Sequence, residues 1–174
     1  AWSLIFVSEI GDKTFFIAGL LAMKTSRLIS FAGSMGALSV MTVISVLIGQ
    51  IFHAIPPGVT NGLPLDDYAA VAAFLFFGVK TLKEAIETPD EDFSGMDEER
   101  AEAEEAVAKT DTQQQGMVAS ILSTFGLVFA AELGDRSFLS TIALSAAANP
   151  VSVAFGAISA HAVATGIAVA GGAL

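Results

Sequence analysis

The sequence predicts an all-α membrane protein made of two inverted three-helix repeats, six helices in the full protein and about five in these 174 residues. Three observations predict it. Hydrophobic residues make up 53% of the chain and charged residues 15%, with a mean hydropathy of +0.68, well outside the range of soluble domains. Five stretches approach the roughly 20 apolar residues that a membrane helix needs. Finally, one acidic sequence is written twice, as Glu9-Ile10-Gly11-Asp12-Lys13-Thr14 and Glu132-Leu133-Gly134-Asp135-Arg136-Ser137. The offset of 123 residues holds beyond the motif, aligning Gly33 with Gly156, Ala37 with Ala160, Thr42 with Thr165 and Gly49 with Gly172.

The five stretches are 1–23, 28–52, 68–86, 117–146 and 150–172. Lys24, Ser26 and Arg27 make a charged turn after the first. Pro56-Pro57-Gly58, Asn61-Gly62 and Pro64 cannot continue a helix and end the second. Asn149-Pro150 separates the fourth from the fifth. The domains are then a first repeat over 1–87, an acidic linker over 88–116 and a second repeat over 117–174. Within the linker, Met96 to Lys109 is rich in helix formers and reads as a surface helix. The repeat places the counterpart of the third helix near 191–209, beyond Leu174, so the chain is expected to be a trimmed portion of the six-helix protein. An odd number of spans per repeat inverts the second copy in the membrane, as in many secondary transporters.

Net charge is −10, yet twelve of the eighteen acids lie between Glu84 and Asp111. The linker therefore reads as a solvated charged loop. Lys24, Arg27, Lys80 and Lys83 fall on the linker's side, which predicts that this side faces the cytoplasm or its organellar equivalent. Without cysteine there is no thiolate metal site, disulfide or cysteine nucleophile. Without a basic patch, nucleic acid is not an expected partner.

A carboxylate at the centre of a membrane helix costs about 2.5–3.5 kcal/mol on insertion scales. Read as helical, Glu9 and Asp12 share a face, as do Glu132 and Asp135. Inverted packing would bring the faces together near the midplane, with up to four carboxylates around one site. Ca²⁺ and Mn²⁺ favour such oxygen-rich shells. Thr14, Ser137, Thr42 and Thr165 offer hydroxyls, and Gly11 and Gly134 allow close backbone approach or local unwinding. The simpler reading is a pair of i,i+4 salt bridges, Glu9–Lys13 and Glu132–Arg136. It leaves Asp12 and Asp135 uncompensated, so Lys13 and Arg136 are expected to trim the net charge of a site that also accepts protons.

The doubled motif, on the first and fourth helices around an acidic central loop, resembles the Gdt1-like family of membrane cation transporters over essentially the whole chain. Residues 8–18 and 134–144 are most similar to its chloroplast and cyanobacterial branch. The resemblance implies transport of Mn²⁺ and/or Ca²⁺ in exchange for H⁺, with Glu9, Asp12, Glu132 and Asp135 as ligands of the transported ion. It implies neither an enzyme nor a resident cofactor. It also implies a thylakoid, inner envelope or cyanobacterial membrane.

Three further features stand out. His161 occupies the position whose repeat counterpart is Leu38, so it breaks the symmetry. It suits either proton coupling or buried packing. Gln50 is a candidate pathway residue at the end of its helix. The pairs Gly33/Ala37 and Gly156/Ala160 favour close helix packing. A homodimer is compatible with this architecture. The competing classes are a cation channel with the acids as selectivity ring, an intramembrane aspartyl protease and a structural assembly factor. Near-identical motifs, each beginning with Glu, argue against the protease.

Overall fold

Each acidic motif interrupts the helix that contains it. The computed structural model describes residues 1–54, 94–110 and 116–171, with Tyr68, Val71, Ala72, Leu75, Phe76, Val79 and Lys83 between them. Helix α1 (Trp2–Glu9) ends where Ile10 turns extended (φ −70°, ψ 121°), Gly11 takes φ +81° and the Asp12 N–H donates to the Glu9 carbonyl at 3.3 Å. These are the features of a type II β-turn, whose third residue needs positive φ and is therefore usually Gly. Helix α2 (Lys13–Lys24) then starts on Asp12, whose carboxylate caps the Thr14 N–H at 3.4 Å.

The second motif repeats this geometry. Leu133 (φ −65°, ψ 108°) and Gly134 (φ +88°) form the turn, and the Asp135 N–H donates to the Glu132 carbonyl at 3.0 Å. The turn separates α5 (Met117–Glu132) from α6 (Arg136–Ala147), which bend by 72°. Asp135 caps the Ser137 N–H at 3.1 Å. The continuous helices expected over 1–23 and 117–146 are thus two broken pairs, because the glycine of each motif forms a turn where a helix needs negative φ.

The remaining boundaries follow local chemistry. Helix α3 (Arg27–His53) opens on Ser26, whose hydroxyl accepts from the Ile29 N–H at 3.2 Å. Helix α7 (Pro150–Gly171) has proline in its first turn, and Asn149 Oδ1 accepts from the Ser152 N–H at 3.0 Å. Both are long and apolar enough to cross a membrane, and the bent pair α5–α6 makes a third candidate span. Among the described residues there are seven helices and no strand. Most of the expected 68–86 helix and all of loop 55–67 lie outside the described residues; the seven described positions from Tyr68 to Lys83 are helical and exposed.

Packing between the repeats is reciprocal. Helix α3 lies against α5 and α6, while α7 lies against α1 and α2. Small residues set the distances: a Cβ on Gly33 would stand 2.6 Å from Thr124 Cβ, and one on Gly49 would stand 2.5 Å from the Ile142 carbonyl oxygen. The polarity is that of a membrane bundle. Val151 and Phe155 point outward, 75% and 77% exposed, whereas Ser30, Ser34, Thr124 and Ser145 are buried with the acids.

The linker contains the helix expected over Met96 to Lys109, but that helix is not solvated all round. Helix α4 (Ser94–Ala108) packs on α2 and buries Ala103 and Val107 in one core cluster with Ile17, Leu21, Ala37, Leu38 and Val128. Lys24 Nζ donates to the Val107 carbonyl at 3.2 Å, and Lys13 Nζ to Glu102 Oε2 at 2.7 Å. Met96 covers Gly11, its Cε 3.2 Å from where a Cβ would stand. Helix α4 therefore runs parallel to α2, from the first motif to the far end of α2. Only its outer face is the charged surface that composition implies. Residues 88–93 and 111–115 lie outside the described residues.

Candidate functional site

Because both turns end their helices on a glutamate, Glu9 and Glu132 project from helix termini into the space between the repeats. They are 2% and 1% exposed. Glu9, Asp12 and Glu132 each present a carboxylate oxygen within 4.8 Å of the others, the cluster suited to a metal ion among the described residues. Glu9 and Asp12 meet across a turn, and the shared helix face expected from their spacing does not exist. Asp135 lies outside this group, half-buried as the cap of α6.

Two hydroxyls organise the acids. Thr14 Oγ1 lies 3.1 Å from Glu9 Oε1 and 2.8 Å from Glu132 Oε1. Ser137 Oγ donates to Glu132 Oε2 at 2.9 Å. The contacts of Thr14 with Glu9 and Ser137 with Glu132 are repeat equivalents. The Thr14–Glu132 bond joins one repeat to the other.

His161 occupies the place beside Glu9. It is buried, and its Nδ1 is 3.0 Å from Glu9 Oε2. The approach lacks hydrogen-bond geometry, and both atoms are buried without a hydrogen-bond partner. Beside them lies a cavity of about 10 Å³ lined by Thr42, Ser45, Glu132, Ser137, Thr141 and His161, among others. That is about the room one water molecule needs. Thr42 and Thr141 donate to the carbonyls of Leu38 and Ser137, both at 2.8 Å. Their hydroxyl hydrogens are committed, which leaves oxygen lone pairs as the groups available to a cation.

The other candidates have different placements. Lys13 is not paired with Glu9; it reaches Glu102, because the turn starts α2 in a new direction. The Arg136 side chain lies outside the described residues. Gln50 is a tie between helices, not a cavity residue: its Nε2 donates to the Ser145 carbonyl at 2.7 Å, and Ser145 Oγ returns a bond to the Val46 carbonyl at 3.1 Å. Thr165 is buried on α7 and does not line the cavity. Sequence reasoning missed Ser45 and Thr141. The spacings Thr42/Ser45 and Ser137/Thr141, each on one helix face, were the available signal.

Two unit charges 4 Å apart repel by about 4 kcal/mol at an effective dielectric of 20. Three ionised acids in this space therefore require a compensating cation or protons. The arrangement is chemically that of a divalent-cation site with hydroxyl support.

A family model described as divalent cation/proton antiporter GDT1 matches residues 1–89 and 120–174. The chain is 49% identical to the PAM71-homolog, chloroplastic, of Arabidopsis thaliana, covering 99% of this chain and 50% of that protein. It is 51% identical to GDT1-like protein 2, chloroplastic, of Oryza sativa subsp. japonica, over 99% of this chain and 52% of that one. A GDT1-like protein of Synechocystis sp. is 42% identical, over 97% of this chain and 79% of that protein. The chain spans about half the length of the plant relatives. No solved structure matches it.

Proposed function

From the premise that this chain belongs to the GDT1 divalent cation/proton antiporter family, whose members are transporters and not enzymes, we propose that the protein is a secondary transporter exchanging Mn²⁺ and/or Ca²⁺ for H⁺. The observation that carries this reading is the convergence of Glu9, Asp12 and Glu132 within 4.8 Å, one motif acid set against the other.

The Thr14 bridge supplies the coupling. A hydroxyl has one hydrogen, so Thr14 donates to one glutamate only. Its other short contact is a hydrogen bond when that carboxyl is protonated and donates to Thr14 Oγ1. A site closed in this way holds a proton between Glu9 and Glu132. A divalent cation needs both carboxylates and releases the proton. Cation and proton thus compete for the same oxygens, which gives exchange without a separate proton site.

The two repeats, matched at their turns and caps, form inverted halves that move against each other to alternate access. Asp135 keeps its cap in this scheme, and its equivalent Asp12 faces the ion. The membrane is a plastid membrane, thylakoid or inner envelope, or its cyanobacterial counterpart.

The test is Mn²⁺ and Ca²⁺ uptake by the complete protein in proteoliposomes, with internal pH recorded simultaneously. Uptake should move protons outward and should be abolished by Glu9→Gln and by Glu132→Gln. Flux retained in both variants rejects the site. Flux indifferent to an imposed pH gradient and moving no protons replaces the antiporter with a channel.

A further inference from the structure

The contact between Glu9 and His161 is too close for indifferent neighbours and wrongly aimed for a hydrogen bond. Nδ1 and Oε2 are 3.0 Å apart, both residues are at least 95% buried, and both atoms lack a hydrogen-bond partner. An imidazolium–carboxylate pair would place the N–H on the oxygen. A neutral imidazole that served only packing would leave a buried polar atom unsatisfied, at a cost of about 1–3 kcal/mol. A third partner shared by the two atoms resolves both problems. Adjacent corners of an octahedron with bonds of about 2.1 Å are about 3.0 Å apart.

Resting on the cation site argued above, we propose that His161 is a direct ligand of the transported ion and the residue that favours Mn²⁺ over Ca²⁺. It lines the cavity together with Glu132, Ser137, Thr42 and Thr141, and Glu9 stands at its Nδ1. A cation between the two glutamates thus meets one nitrogen donor among carboxylate and hydroxyl oxygens, with Leu38, Met41 and Phe138 completing the lining. Ca²⁺ takes six to eight oxygen ligands in flexible shells. First-row transition dications accept imidazole nitrogen readily. On intrinsic affinity the same donor favours later metals of that row still more, so Ca²⁺ is the comparison that tests it.

The repeat shows why this residue separates selectivity from binding. The equivalent position is Leu38, which also lines the cavity. The motif carboxylates come from both halves, but the nitrogen comes from one. Exchanging His161 for its own repeat counterpart leaves the oxygen donors in place.

The experiment is pulsed electron paramagnetic resonance of Mn²⁺ bound to the complete protein in detergent, with Ca²⁺ competition measured in parallel. The wild type should show nitrogen modulation from a directly bound imidazole, and ¹⁵N-histidine labelling should shift it. His161→Leu and His161→Gln should abolish the modulation and lower the Mn²⁺-over-Ca²⁺ affinity ratio by about tenfold or more. Mn²⁺ bound in the wild type without that modulation overturns the proposal, and the isotope comparison requires no variant to fold. The same result leaves the carboxylate site intact. Mn²⁺ binding unaffected by Glu9→Gln and by Glu132→Gln instead removes the site itself.

Discussion

The Thr14 hydroxyl stands 2.8 Å from the Glu132 carboxylate, so a side chain of the first motif holds the acid of the second. This bond ties one repeat to the other. Its partner residues lie 118 positions apart in the chain.

Removing that hydroxyl should weaken the site without emptying it. Thr14→Val keeps the shape and leaves a buried carboxylate oxygen short of a donor, a loss of about 1–3 kcal/mol. Divalent-cation affinity, measured by calorimetry on the complete protein, should fall by about 5- to 150-fold. Thr14→Ser should retain most of it. Affinity kept in Thr14→Val and lost in Thr14→Ser would show that the methyl packing matters and the hydroxyl does not.

Gly11 and Gly134 should respond differently to the same change. Alanine at either position is forced to φ above +80°, at about 1–2 kcal/mol. Open space surrounds Gly134, whereas Gly11 lies under Met96. Thermal unfolding in detergent should therefore show Gly11→Ala as the more damaging, with part of its extra loss recovered in the Gly11→Ala/Met96→Ala double variant.

Helix approach predicts a contrast along the bundle. A Cβ at Gly49 would meet the Ile142 carbonyl oxygen at 2.5 Å, while nothing lies within 4 Å of one at Gly126. Gly49→Ala should destabilise by about 1–3 kcal/mol through overpacking. Gly126→Ala should be neutral or stabilising by up to about 1 kcal/mol through helix propensity. Melting temperatures of the two variants read the difference directly.

Helix α4 should be held mainly by its apolar side. The Lys13–Glu102 pair is partly exposed, which limits it to about 0.2–1 kcal/mol, so Glu102→Ala should leave α4 in place. Val107 is fully buried, and Val107→Asp should release the helix. Spin labels on the outer faces of α2 and α4 report the separation. Unchanged distances in Val107→Asp would contradict the packing account.

Acid should loosen the end of the same helix. The Lys109 ammonium, 2.7 Å from Glu105, holds that carboxyl below its ordinary range. A depressed folded-state value means that the pair supports the helix fully above the ordinary carboxylate range and loses that support as pH falls through the lowered value. Helical order near Glu105, followed by amide exchange, should decline in that direction, and Lys109→Gln should flatten the dependence.

Much of this was legible in the chain because it is local. Apolar runs bounded by Ser26 and Asn149-Pro150 marked α3 and α7, and the doubled motif marked the acids. A closer reading of Glu-x-Gly-Asp as a turn with glycine third would have anticipated the broken helices, since that geometry needs only four consecutive residues. Asp12 and Asp135 are likewise equivalent caps, two residues before a hydroxyl.

Tertiary structure decided the rest. Asp12 faces Glu9 and Glu132 while its repeat twin Asp135 does not; Lys13 turns to Glu102, and Gln50 ties α3 to α6. His161 meets Glu9, and the acidic linker lays a buried stripe along α2. Each relationship joins residues distant in sequence, through the bend at a turn and the close crossing of helices at glycine. The sequence by itself determined which groups would have to leave lipid and where each helix would break. Only packing determined which of them meet, because contact distances depend on how the helices cross.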